Sequence, residues 1–338
     1  MRHTPTTLFI GLLAACAETV NRPPPPPVDW QSFQVQPAPD GGAPKATERE
    51  RAVAALYTQA LASPGFGQLS SMLDEDAHFT LGDKDTRGRD RVLKAHEELF
   101  GAFDERKSAA TRVFRTDRSQ TVEWTVSGVQ ARPWMGIGAT QKQVVFKGVT
   151  LLWTNDDGSL SDVHVFFDPA VVKGQLGVGP PELKKLPAPP MPSGPPEVLE
   201  QEGTPEESAN VALVRARIQA IEDNKLSAYL STMAGDFEFL TLDNSQPVRG
   251  KDSAERVFRA LRNSIGDLDT VVRNAWGVQQ FAVLEYSVAG LQLAPLGRIT
   301  FVPNRLFNSR VVDIFEIRNH KITRLWRYDD SGAVEPSK

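Results

Sequence analysis

The sequence predicts an α+β protein built as two tandem domains of one kind, each opening on helices and closing on a mostly antiparallel sheet. Three observations predict it. The stretch Thr121-Val122-Glu123-Trp124-Thr125-Val126-Ser127-Gly128 returns as Val283-Leu284-Glu285-Tyr286-Ser287-Val288-Ala289-Gly290, an offset of 285 − 123 = 162. The same offset pairs Arg87-Gly88-Arg89-Asp90 with Arg249-Gly250-Lys251-Asp252, and Asp168 with Asp330. Within each copy, segments with a 3.6-residue apolar period precede segments of alternating or continuous apolar character, which is the order of an α+β layout. A length of 338 residues suits two domains of ordinary size.

Composition narrows the function classes. Lys and Arg number 38 against 42 Asp and Glu, with no basic stripe and no aromatic-basic interleaving, so nucleic-acid binding is set aside. The single cysteine leaves no disulfide framework. Five scattered histidines provide no metal-ligand spacing, and no P-loop, G-x-G-x-x-G, G-x-S-x-G or HExxH motif is present. No metal and no cofactor are expected.

The first residues read as an export signal: Arg2, then the short apolar run Leu8 to Ala15, too short to span a bilayer. Leu13-Ala14-Ala15-Cys16 resembles the lipobox of bacterial lipoproteins, L-[AS]-[GA]-C. The resemblance implies cleavage after residue 15, a diacylglycerol thioether and a further acyl chain such as palmitate at Cys16, and a lipid anchor at the cell envelope facing the periplasm or exterior. Ala17 after the cysteine points, by analogy, to the outer rather than the inner membrane. Residues 16–46, with Pro23 to Pro27, Pro37 and Pro39, form an extended spacer.

The first domain is expected over 47–173. Val53, Leu56, Tyr57, Ala60 and Leu61 mark a helix that Pro64-Gly65 breaks, and Leu69, Met72 and Leu73 a second short one. His78 to Leu81 reads as a strand, Gly82 to Arg91 as a turn. A third helix carries Val92, Ala95, His96, Leu99 and Phe103 on one stripe. Strands follow at 111–114, 121–130, 143–154 and 160–167. Residues 174–206 are Pro-rich and aperiodic, an extended linker.

The second domain, 207–332, repeats the programme before a tail at 333–338. Val211, Val214, Ile218 and Ile221 build its first helix, and Leu226, Tyr229, Leu230 and Met233 its second. Phe237 to Leu242 is a strand. Ala254, Val257, Phe258, Leu261 and Ile265 fill the stripe of the third helix, and strands follow at 271–278, 281–293, 310–317 and 321–328.

Each copy resembles a SnoaL-like domain of the nuclear transport factor 2-like superfamily. The residues carrying the resemblance are Asp74-Glu75-Asp76-Ala77-His78-Phe79, the R-G-x-D turn, the E-x-W/Y-x-V-x-G strand and the closing strands Gly158 to Asp168 and Lys321 to Asp330. The resemblance implies cone-shaped domains, a curved sheet around helices with an apolar pocket between, and pairing through sheet faces, here as an intramolecular pseudo-dimer. It also implies that enzymes on this fold use an Asp or His in that pocket as general base, which requires reach to the substrate and a pKa moved towards neutrality.

His96 on the apolar helical stripe and His164 in the last strand, with Asp162 or Asp76 to orient them, are the candidate bases. Tyr57, His78, Trp124, Trp153, Tyr229, Tyr286 and Trp326 are the candidate ligand-pocket residues. Glu123 and Glu285 alternate away from the apolar face and are expected on the wetter one. Copy two shows no candidate base on its core-facing stripes. Two functions remain open: an envelope-anchored module binding a small apolar ligand or protein partner without catalysis, or a cyclase-, isomerase- or dehydratase-type enzyme with a histidine base in the first domain.

Overall fold

A computed structural model of the chain describes residues 48–82, 84–296 and 302–329. Cys16, its lipobox, the spacer before residue 47 and Asp330 lie outside the described residues. No helix among the described residues is long and apolar enough to cross a membrane.

The first repeat opens with α1 (Glu48–Ala62), which buries Val53, Tyr57, Ala60 and Leu61 at the expected helical spacing. Pro64 and the left-handed Gly65 end it in a single 3-10 turn, and α2 (Gly67–Met72) follows. Next come β1 (Leu73–Leu81), β2 (Lys84–Arg87) and α3 (Arg89–Phe100), the last begun at Gly88, whose φ of 100° favours glycine. The strands β3 (Phe103–Arg115), β4 (Ser119–Gln130), β5 (Gln143–Thr154) and β6 (Leu160–Phe167) complete the repeat.

Several boundaries differ from the sequence reading, in the second repeat as well, where Met233 and Ile265 start strands instead of ending helices. β1 begins at Leu73 rather than His78, because Asp74, Glu75 and Asp76 run along an exposed, bulged edge and give no apolar alternation. Phe103, assigned by periodicity to the third helix, starts β3 instead; α3 ends three residues earlier.

The second repeat follows the same plan: α6 (Pro205–Glu222), α7 (Leu226–Ser231), β8 (Met233–Thr241), β9 (Val248–Arg249), α8 (Lys251–Ser264), β10 (Ile265–Val278), β11 (Phe281–Gln292), β12 (Leu306–Arg318) and β13 (Lys321–Asp329). Both sheets are mixed. Hairpins join the four long strands antiparallel, and the last of them pairs parallel with the first strand of its repeat, β6 with β1 and β13 with β8. The chemistry-bearing last strand is thereby placed inside the sheet, with neighbours on both edges.

The Pro-rich stretch 174–206 is more than a spacer. After α4 (Pro169–Gln175), the short α5 (Pro181–Lys184) sets Leu183 against Gly174, where any β-carbon would lie 2.8 Å from Leu183. β7 (Glu197–Glu200) then adds to β3 in parallel as the seventh strand of the first sheet. At the start of α6 a capping box forms: Thr204 accepts from the Glu207 amide, and Glu207 accepts from the Thr204 amide. Glu207 also accepts from the Gln279 amide at 2.7 Å, tying the linker's end to the β10–β11 turn.

Helices cover one face of each sheet and leave the other face apolar. These outer faces meet. One buried cluster draws Phe114, Val149, Leu151 and Phe166 from the first sheet and Trp276, Phe281, Val283 and Ile314 from the second, with Leu199 of β7 at its border. The Phe114 and Phe281 rings lie 5.4 Å apart, edge to face. Both repeats belong to one compact unit of the chain.

Candidate functional site

Three places concentrate polar side chains: the interior of each cone and the seam between the sheets. The candidate residues divide among all three rather than converging on one pocket.

In the first cone, β4 points Val122, Trp124 and Val126 inward, and α3 places His96 in the same interior, its ring beside Tyr57 and Phe79. Gly148 on β5 is required here, since a β-carbon would lie 2.3 Å from the Trp124 ring. His96 is fully buried, with Phe66, Phe79 and Phe100 ring centroids 5.0 to 6.3 Å from its own. Its Nδ1 lies 2.9 Å from the Val92 carbonyl, an acceptor only, so Nδ1 carries the proton and donates. Nε2 then accepts from the Tyr57 hydroxyl at 3.2 Å. Tyr57 in turn accepts from the Thr150 hydroxyl at 3.2 Å, and Thr150 accepts from the Trp124 indole at 2.9 Å. Each member donates once, and the chain closes without a carboxylate. Burial pushes the His96 pKa down to about 4 and raises that of Tyr57.

The second cone holds charges. Asp313 of β12, fully buried, accepts from Arg327 of β13 through two hydrogen bonds of 2.9 and 2.8 Å and from the Tyr286 hydroxyl at 2.9 Å. Arg217 of α6 stands 3.8 Å from the same carboxylate and 5.0 Å over the Tyr229 ring. Burial opposes the Arg327 charge, but Asp313 outweighs it and holds the guanidinium well above its ordinary pKa. The expectation that copy two shows no candidate base on its core-facing stripes is therefore corrected, since the Asp313 carboxylate is buried in that core. Asp313 was hidden in the apolar run Val311 to Phe315, and Arg217 in the apolar helix stripe.

The seam corrects the reading of Glu123 and Glu285. Both are buried, at 4 % and 0 % exposure, because the face opposite the helices is covered by the other sheet instead of water. Glu123 receives a two-pronged contact from Arg112 on the adjacent β3, one bond of 2.9 Å and one shorter, and a short hydrogen bond from Tyr328 of the second repeat. Arg112 also lies 4.0 Å over the Trp326 ring. Glu285 has the mirrored arrangement: Asn274 on the adjacent β10 donates at 2.5 Å, and His164 of the first repeat, through Nδ1, lies at 3.0 Å. Arg112 and Asn274 are themselves 274 − 112 = 162 apart.

Asp162 and His164 share one face of β6, opposite Val163, Val165 and Phe167, so they point into the seam and not into the cone with His96. His78 of β1 pairs in register with Asp162, its Nδ1 3.3 Å from the carboxylate. Trp153 lies 4.6 Å from the His164 ring. Tyr57 and Trp124 thus belong to the first cone, Tyr229 and Tyr286 to the second, and Trp153, Trp326, His78, Asp162 and His164 to the seam or its rim.

Two cavities border the seam. One, of about 430 Å³, is walled by Leu186, Pro187 and Pro189 of the linker and by Leu240, Leu242 and Trp326 of the second repeat. The other, of about 640 Å³, opens at the rim beside Asp74, Asp76, His78, Asp85 and Asp162, with Arg87 and Arg91.

Two repeats of helices on a mixed sheet, with the apolar sheet faces packed together, define a tandem α+β protein. The family model for the SnoaL-like domain matches residues 53–163 and again 214–325, and the chain belongs to that family. Among solved structures it is similar to a candidate SnoaL-like polyketide cyclase from Jannaschia sp. CCS1, at 20 % identity over 39 % of this chain and 97 % of that one, with a TM-score of 0.35. An epoxide hydrolase from M. tuberculosis matches at 16 % identity over 37 % of this chain and 86 % of its own, with a TM-score of 0.31. A protein with a ketosteroid isomerase-like fold from Catenulispora acidiphila, in complex with trimethylamine, matches at 14 % over 35 % and 85 %, with a TM-score of 0.30. No similar protein was found among curated sequences.

Proposed function

We propose that the chain is an envelope-anchored, non-catalytic binding protein that holds a small apolar ligand in the seam between its two SnoaL-like domains, which pair as an intramolecular pseudo-dimer. The observation that carries this reading is the commitment of His96. Both its ring nitrogens are engaged within a buried neutral chain, and burial keeps the ring uncharged at neutral pH, with no carboxylate to orient it. A general base needs a free lone pair facing substrate. In the second cone Asp313 is likewise held by Arg327 and Tyr286. The 430 Å³ cavity at the seam offers what a small apolar ligand needs, aliphatic and proline walls with Trp326 at one side and a few polar groups such as Lys147 and Asn244.

A fluorescent apolar probe, N-phenyl-1-naphthylamine, tests the reading. It should bind in a 1:1 ratio, and Leu186→Asp or Leu242→Arg should weaken binding by roughly tenfold, about 1.4 kcal/mol. Unchanged binding in both variants would sink the seam as the ligand site. Anchoring rests on Leu13-Ala14-Ala15-Cys16 ahead of the proline spacer. Diacylation with a further chain gives stable attachment where one chain does not. Cys16→Ser should move the protein from the detergent phase to the aqueous phase; a wild type already aqueous refutes the anchor. The alternative, an enzyme with a histidine base in the first domain, draws its support from the 3.0 Å His164–Glu285 contact. Yet the rim cavity beside that pair is lined by His78 and Asp162, not by His164 or Glu285.

A further inference from the structure

The register of β1 against β6 brings together three side chains that no sequence spacing links. His78 stands opposite Asp162, and His164 lies two residues further along the same face of β6. One nitrogen from each histidine and one Asp162 oxygen lie within 4.8 Å of one another. We propose that His78, Asp162 and His164 bind a divalent first-row transition-metal ion of the Zn²⁺ type, a site that goes beyond the apolar-ligand reading and does not rest on it.

Three features support it. Two imidazoles and one carboxylate form a donor set suited to Zn²⁺ and its neighbours, not to Mg²⁺ or Ca²⁺, which take oxygen ligands. Glu285 lies 3.0 Å from Nδ1 of His164, and a hydrogen bond donated by Nδ1–H leaves Nε2 unprotonated for the ion. A carboxylate that orients a ligating histidine in this way is a recurrent part of metal sites. His78 and Asp162 also border the rim cavity, so water can reach the remaining coordination positions. Bonds of about 2.0 to 2.2 Å to each ligand require the three side chains to draw in by about 1 Å, a movement open to His78 and Asp162, whose side chains are 37 % and 39 % exposed. Because Glu285 comes from the second repeat and the ligands from the first, the ion would fasten the seam at its rim.

The test uses the full-length chain in detergent, stripped with chelator and titrated with Zn²⁺ by calorimetry and with Co²⁺ by visible absorption. One ion per chain is expected, with Co²⁺ bands of a four- or five-coordinate site. His78→Ala and Asp162→Ala, at partly exposed positions, should each weaken Zn²⁺ binding by roughly tenfold or more. Glu285→Gln, a positioning change, should weaken it by about 10- to 100-fold. His320→Ala, in the exposed turn before β13, should bind as wild type, and Mg²⁺ and Ca²⁺ should not compete. Absence of stoichiometric Zn²⁺ binding overturns the proposal. So does either His78→Ala or Asp162→Ala binding as tightly as wild type.

Discussion

The two cones fill equivalent positions by opposite means. Thr150 faces Val122 and Val165 across its ladder; Asp313 faces Leu284 and Arg327, each partner 162 residues on. Trp124 is replaced by Tyr286 and His96 by Phe258. The first cone thus holds a neutral relay from Trp124 to Val92, whereas the second holds one carboxylate between two guanidiniums. The same backbone accepts either solution, although the charged one leaves Nε and Nη1 of Arg217 buried without a hydrogen-bond partner. What differs is the cost of breaking it. A neutral link lost leaves one orphaned group, whereas a lost carboxylate leaves uncompensated charge.

The largest effect is therefore expected at Asp313. Asp313→Ala strands Arg217 and Arg327 in a dry interior and should destabilise the second repeat by about 3–5 kcal/mol in denaturant unfolding. A loss under about 1 kcal/mol would show that water enters that cone.

His96 comes next, through pH. Its folded pKa of about 4 lies below the unfolded value of 6.5, so the unfolded chain binds a proton that the folded chain refuses. Its contribution is fully present above pH 6.5 and is lost as pH falls from 6.5 towards 4, up to about 3 kcal/mol over that window. His96→Phe, the residue its counterpart Phe258 supplies, should flatten the slope of stability between pH 6.5 and 4 while lowering stability at pH 8. An unaltered slope would assign the acid sensitivity elsewhere.

The smallest change is Thr150→Val, which removes the acceptor of the Trp124 indole and the donor to Tyr57 and should cost about 1–3 kcal/mol. If Thr150→Val costs as much as Asp313→Ala, the contrast between neutral and charged cones fails.

The repeat, the order of elements and the filled helix stripes were legible because they depend on local period and on the 162-residue offset. Less legible was anything decided by what covers the second face of a sheet. Glu123 read as solvated because strand alternation assigns a face and not its environment. His164 was visible as a candidate base, but alternation alone sends it away from His96, on the face opposite Val163 and Val165. Asp162 and His78 come together only through a parallel register some eighty residues apart in sequence, which no local spacing encodes. Asp313 has one signal in the sequence: a lone acid inside an apolar strand, with Arg327 in the next strand and Arg217 in a helix stripe to answer it.

The strand β7, laid along β3 ahead of the capped start of α6, keeps both halves of the seam on one chain. In a homodimer related by a two-fold axis, every interface residue must serve both sides, so each contact occurs twice and each substitution is made twice. Covalent linkage lifts that requirement. The counterpart of His164 is Trp326, which stacks on Arg112, and the counterpart of Tyr328 is Phe166, which lies in the apolar seam. One glutamate is accordingly met by a phenol and the other by an imidazole, and only the second end of the seam has histidines to spare for further chemistry.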